Sequence, residues 1–251
     1  MTAVNDDRHY TAAATGIVKK NTDGSYLEEF RWTRVTSDGQ LIGPVPPMDT
    51  FRMLLSLDPG RTPSSPDLSK VDQRLVGPTL DLMTFYVDLW IANKVGILQH
   101  PGDHFYVPNP QPSSWADGTH VLTGESHIDF DLNFQSIDPA KRTALLAVHH
   151  VPPAHPNLQF PAPWMQTPVA DTPNNWVQVS KTTEGKYEAG VGKETFDVSI
   201  TVSTVDGKIL SATMDNPVVM SSRVCDDAAL TQCGEAQPQT IHRHIEIALV
   251  P

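Results

Sequence analysis

Ten histidines are spread through this 251-residue chain, and four of them, His100, His104, His120 and His127, fall between Gly96 and Asp131. Around them stand Asp103, Asp117, Glu125, Asp129 and Asp131, with Phe105, Tyr106 and Trp115 between. An imidazole titrates near neutrality and a neighbouring carboxylate can orient it, so this stretch holds the parts of a general acid–base centre. Pro101, Pro108, Pro110 and Pro112 make its first half a loop, 99–117, in which Gly102 would let the backbone approach a ligand closely. His104, with Asp103 beside it, is the first candidate catalytic group. Tyr106 could donate a hydrogen bond to a bound molecule, and Trp115 could stack on a ring. His127 is the second candidate. Strand alternation puts Glu125, His127, Asp129 and Asp131 on one face and Ile128, Phe130, Leu132 and Phe134 on the other. Facing a cavity, His127 held by a carboxylate is a base; facing solvent, the same residues are the polar side of an ordinary strand. Sequence leaves both readings open.

A second constellation lies at the end of the chain, His242-Arg243-His244-Ile245-Glu246. In a strand His242, His244 and Glu246 share one face while Ile245, Ile247 and Leu249 share the other. His244 is the third catalytic candidate. The trio is also a candidate ligand set for a divalent metal, Zn or Fe, with a further ligand from His127, His149 or His150. The competing reading is a polar outer face that needs no metal. Two apparent motifs fail: Ile128 stands where a nucleophile elbow needs glycine, and Gly190-Val-Gly192-Lys193 lacks the spacing of a phosphate loop.

The elements that must position these groups are mostly strands. Asn21-Thr-Asp-Gly24 and Ser37-Asp-Gly39 separate three β-type runs, an N-terminal meander. Hairpins are expected at Glu184-Gly185 and Asp206-Gly207, a turn at Asp138–Lys141, and a last strand over 240–250. One helix is expected over 78–95, with Pro78 at its start, Gly96 at its end and an apolar surface that includes Trp90. Long proline-rich loops are expected at 43–67, 99–117 and 152–173. The last carries seven prolines with Phe160, Trp164 and Met165, too apolar to hang in water, and reads as a strap on the body or across a pocket mouth. Trp90 and Trp164 therefore join Tyr106 and Trp115 as candidate substrate contacts.

Composition bounds the rest. Charged residues are 19%, 22 prolines disfavour long helices, and the formal net charge of −11 argues against nucleic acid or an anionic membrane as partner. No apolar run is long enough to span a bilayer. Cys225 and Cys233 bracket the short polar loop CDDAALTQC and are expected to form a disulfide, which favours a periplasmic or secreted location. About ten strands and one helix in 251 residues suggest a single mainly β domain over 1–251, a closed or nearly closed antiparallel barrel. In outline this resembles the lipocalin-type barrels, a likeness of architecture that says little of activity. The expected function is an enzyme of lyase, isomerase or hydrolase type. It would use His with Asp or Glu on a small apolar or aromatic molecule, with or without a metal. The alternative is a secreted ligand-binding protein of the same fold.

Overall fold

A computed structural model of the protein describes residues 7–20, 22, 26–43, 53–56, 76, 98–107, 125–126, 129–151 and 160–250. The chain divides into two compact units, Met1–Asn93 and Lys94–Pro251. Both are antiparallel β. Apart from one helical residue, Val76, the described residues contain a single 3-10 turn, Pro163–Gln166. The expected helix over 78–95, including Trp90, lies outside the described residues, as do Trp115 and His127.

The first unit holds β1 (Tyr10–Lys20), β2 (Tyr26–Ser37), β3 (Gln40–Gly43) and β4 (Met53–Ser56). The expected meander is present as β1-β2-β3. Asp38 and Gly39 both take positive φ, 49° and 79°, the hairpin geometry that a two-residue Asp-Gly turn favours. Trp32 and Val35 are buried. β4 pairs with β2 inside what composition reads as loop 43–67. The apolar run Met53-Leu-Leu-Ser56 outweighs the prolines on either side because β2 offers it an open edge.

The second unit is one sheet of nine strands: β5 (His104–Val107), β6 (Glu125–Ser126), β7 (Asp129–Asp138), β8 (Thr143–Val151), β9 (Trp176–Lys181), β10 (Tyr187–Glu194), β11 (Asp197–Ser203), β12 (Ile209–Cys225) and β13 (Gln237–Ala248). Their order is β5-β7-β8-β11-β12-β10-β9-β6, with β13 beside β12. β12 is the spine. One of its edges pairs with β13 along Ser211–Ser222. The other edge serves two wings in turn, β11 against the first half and β10 against the second. Between them, at Asn216-Pro217, the sheet forks. Thr195 N–H donates to the Pro217 carbonyl, so the side of Pro217 that faces the fork is where its missing N–H would have pointed. No ladder bond is lost, which is why a proline sits inside a 17-residue strand.

The fork is sealed by amides. Asn175 accepts from the Glu194 N–H and donates to the Glu194 carbonyl, at 2.8 and 2.7 Å. Asn216 donates to the Thr195 carbonyl and to Glu194 Oε1, and accepts from Arg243 Nη1 at 2.9 Å. Both asparagines are buried, and each replaces a strand partner that the divergence removes.

The two wings bury different cores. On the first, Phe130, Leu132 and Phe134 of β7 align with Leu146 and Val148 of β8, Val198 and Ile200 of β11, and Ala212 and Met214 of β12. On the second, Val177, Val179, Ala189, Val191 and Cys225 pack with Ala162, Met165 and Leu230. The described part of the 152–173 segment is thus a strap laid on the second wing. Asn174 ties it down, donating to the Met165 and Thr167 carbonyls and accepting from the Val169 N–H. Cys225 and Cys233 form the expected disulfide. Among the described residues neither sheet closes into a barrel. The 99–117 loop is also interrupted, because His104–Val107 pairs with β7 as β5.

Candidate functional site

Register carries a single transverse row across the first wing. Tyr106 of β5 is opposite Asp131 of β7, Asp131 opposite His149 of β8, and His149 opposite Asp197 of β11. Asp197 is opposite Asp215 of β12, and Asp215 opposite His244 of β13. Opposed residues project from the same side of a sheet, so the row lies on the face away from Leu132, Leu146, Val148 and Ile200. Next to it, two residues along their strands, stand His104, His242 and Glu246. Four imidazoles and four carboxylates therefore occupy one half-exposed band.

They are paired throughout. His104 Nδ1 lies 3.1 and 2.9 Å from the two Asp131 oxygens, and the Asn133 amide donates to His104 Nε2 at 3.2 Å. That arrangement places the proton of a neutral His104 on Nδ1 and engages the lone pair a general base would use. His149 Nδ1 meets Asp197 at 2.6 Å and His242 Nε2 meets Asp215 at 2.6 Å. His244 sits between two acids, with Nδ1 3.6 Å from Asp215 and Nε2 3.1 Å from Glu246. The hydrogen bond to Glu246, and then the contact with Asp215, holds the His244 pKa above the usual imidazole value. The hydrogen bond from His242, with a smaller contribution from His244, holds Asp215 below the usual carboxylate range.

The centre of the row is the cross-strand pair Asp197–Asp215. Like charges directly opposite on neighbouring strands repel. Here each carboxylate is also met by an imidazole, His149 for Asp197 and His242 for Asp215.

The predicted residues fall out as follows. His104 and His244 are on the same face but five strand steps apart, on the order of 24 Å at ~4.8 Å per step, so they do not meet in one centre. Asp103 shapes a turn instead of facing His104: its carboxylate accepts from the Gln99 and His100 N–H groups, both at 2.8 Å, which lowers its pKa. Gly102, at φ 94°, completes that turn. Tyr106 ends the row and is half exposed. Trp164 belongs to the strap, where its indole N–H donates to the Leu230 carbonyl and its ring lies under Arg223. His242, His244 and Glu246 share a face as alternation requires, yet their rings are taken up by carboxylates. Among the described residues no group of three or more His, Cys, Asp or Glu side chains is disposed around one metal position. Asp197 and Asp215 escape a reading of the sequence because each is a lone acid in its own strand, and only pairing makes them neighbours. Sequence comparison adds nothing to the geometry: no family model, no curated protein and no solved structure matches this chain.

Proposed function

We propose that the protein is a secreted or periplasmic binding protein that receives a cationic partner, a lysine- or arginine-bearing segment of another protein, on the outer face of its second unit. The observation that carries this reading is the opposed pair Asp197–Asp215 at the centre of the imidazole–carboxylate row. An ammonium or guanidinium seated between two carboxylates relieves their repulsion and makes charge-assisted hydrogen bonds to both. The net charge of −11 draws such a partner in. The disulfide fits an oxidising compartment, and no helix among the described residues is long and apolar enough to cross a membrane. Calorimetric titration with a short lysine- and arginine-rich peptide tests it. Binding is expected to weaken as salt rises and to fall roughly tenfold or more in the Asp197→Asn/Asp215→Asn double variant, the loss expected for charge-assisted hydrogen bonds. Equal affinity for wild type and double variant rejects this site.

A second reading rests on a different observation, the His104–Asp131 pair beside Tyr106. An imidazole oriented by a carboxylate is the core of an acid–base enzyme, here acting on a small apolar or aromatic molecule, with or without a divalent metal, on the polar face of a lipocalin-like sheet. It requires Asn133 to release Nε2 when substrate binds. Turnover that persists unchanged in a His104→Ala variant, once a substrate is in hand, eliminates it.

A further inference from the structure

β13 is the longest strand of the second unit to have a partner on one side only, β12, among the described residues. Natural sheets usually protect such an edge with lysine, proline, a bulge or an inward charge. Here the devices are Pro238 near the start of the strand and the inward charge of Arg243, which Asn216 engages. The twelve residue pairs between Ser211–Ser222 and Gln237–Ala248 run without a register break. The stretch 239–249 contains no lysine and no proline. Its inward face carries Ile241, Arg243, Ile245 and Ile247, each only half buried, with the Arg243 guanidinium engaged by Asn216, and beyond them Leu249 is 58% exposed and Val250 82%. An edge of this kind is built to be covered.

We infer that β13 pairs antiparallel with β13 of a second copy of this chain, about a two-fold axis through Ile245, joining the two large sheets edge to edge. Side-chain chemistry selects the register. A two-fold axis through the sheet keeps inward residues opposite inward ones and outward opposite outward, so the centre is a residue that meets itself. Centring on Arg243 would oppose two guanidiniums, and centring on Glu246 two carboxylates. Centring on Ile245 opposes Ile245 to itself, Ile241 to the exposed Leu249, and His244 to Glu246 twice over. His244 and Glu246 then meet their complements, His242 meets Ala248 and Arg243 meets Ile247, and the exposed apolar tail is covered. The outer faces of the two copies become continuous, so their two imidazole–carboxylate rows end beside one another at the junction. This inference goes beyond the proposed cation-binding role and stands without it.

The test uses the full chain. Both native cysteines are consumed in the disulfide, so one introduced cysteine is the only thiol. Sedimentation velocity across a concentration series is expected to show a monomer–dimer equilibrium. Under mild oxidation an Ile245→Cys variant is expected to cross-link to itself, because opposed residues bring Cα atoms to about 4.5–5.5 Å, within disulfide reach. A His242→Cys variant, three residues off the axis, places the two thiols roughly 20 Å apart at ~3.4 Å per residue and is expected to stay unlinked. Glu246→Lys sets an ammonium against His244 of the second copy at two places and is expected to raise the dimer dissociation constant about tenfold, with an unchanged circular dichroism spectrum. A chain that sediments as a monomer at every concentration overturns the proposal. So does a dimer in which His242→Cys links as readily as Ile245→Cys.

Discussion

His244 stands between two carboxylates, and its proton is shared with both the stability of β13 and the charge of the row. Because Glu246 raises its folded pKa above the unfolded value near 6.5, its contribution to stability is complete below that value and is lost as pH rises through the folded pKa. Asp215 behaves oppositely. Its folded pKa is lowered, chiefly by His242, so its contribution is present above the unfolded value near 3.9 and is lost as pH falls through the folded one. The two windows overlap across the mildly acidic range, where the Asp215–His244 contact is a full ion pair. We predict that the His244 ring resonances titrate above the ordinary imidazole value by NMR, and that Glu246→Gln lowers that midpoint. A midpoint unmoved by Glu246→Gln would show that the Glu246 hydrogen bond is not what raises it. The same protonation bears on ligand binding. A protonated His244 satisfies Asp215 from within, so affinity for the proposed cationic partner is expected to fall on acidification.

At the scale of elements, the second wing is fitted together by glycine and tryptophan. Trp176 of β9 lies flat against β10, and a Cβ placed on Gly192 would come within 2.2 Å of the indole ring. A Cβ on Gly190 has room, its nearest approach to the same ring being an ordinary contact at 3.6 Å. The glycine pattern of Gly190-Val-Gly192 therefore serves indole packing between neighbouring strands and not phosphate binding. Gly192→Ala is predicted to lower stability by about 1–3 kcal/mol, the usual cost of overpacking, while Gly190→Ala costs less. Urea denaturation of the two variants side by side measures the difference; equal midpoints would mean that Trp176 moves aside without penalty. The hairpins flanking these strands follow from local chemistry. Gly185 and Gly207 take φ of 82° and 74° at the turns that the sequence marks, and Asp138 closes the β7–β8 turn by accepting from Ala140 and Lys141 N–H groups.

On the scale of the whole molecule, the second unit is a forked sheet with one spine strand. β12 makes its first-wing core with Ala212 and Met214 and reaches the second core with Cys225, so it couples the two cores through one piece of backbone. The disulfide closes the loop at the end of that spine and holds Leu230 against the strap. By limiting the unfolded chain, it is predicted to contribute ~2–3 kcal/mol. A Cys225→Ser/Cys233→Ser variant should therefore unfold at lower urea, with the strap loosened first. Faster proteolysis within 160–173 than elsewhere reports that order, and uniform cleavage would contradict it.

Local chemistry settles much of this protein from its residues alone. Asp-Gly turns, alternating strands at 129–134 and 240–250, the apolar strap around Trp164 and the Cys225–Cys233 bridge are all legible in order along the chain. Each depends on residues within a few positions of one another, where steric preference and side-chain period act directly. What only the tertiary structure decides is which polar faces lie together. Asp197, Asp215 and His149 come from three strands separated by up to 66 residues, and their meeting depends on the pairing registers of β8, β11 and β12. A shift of one residue in any of them would send its acid or imidazole to the opposite side of the sheet. Burial of Leu146, Val148, Ile200 and Met214 fixes those registers, so the hydrophobic face, and not the polar residues themselves, determines that the row exists.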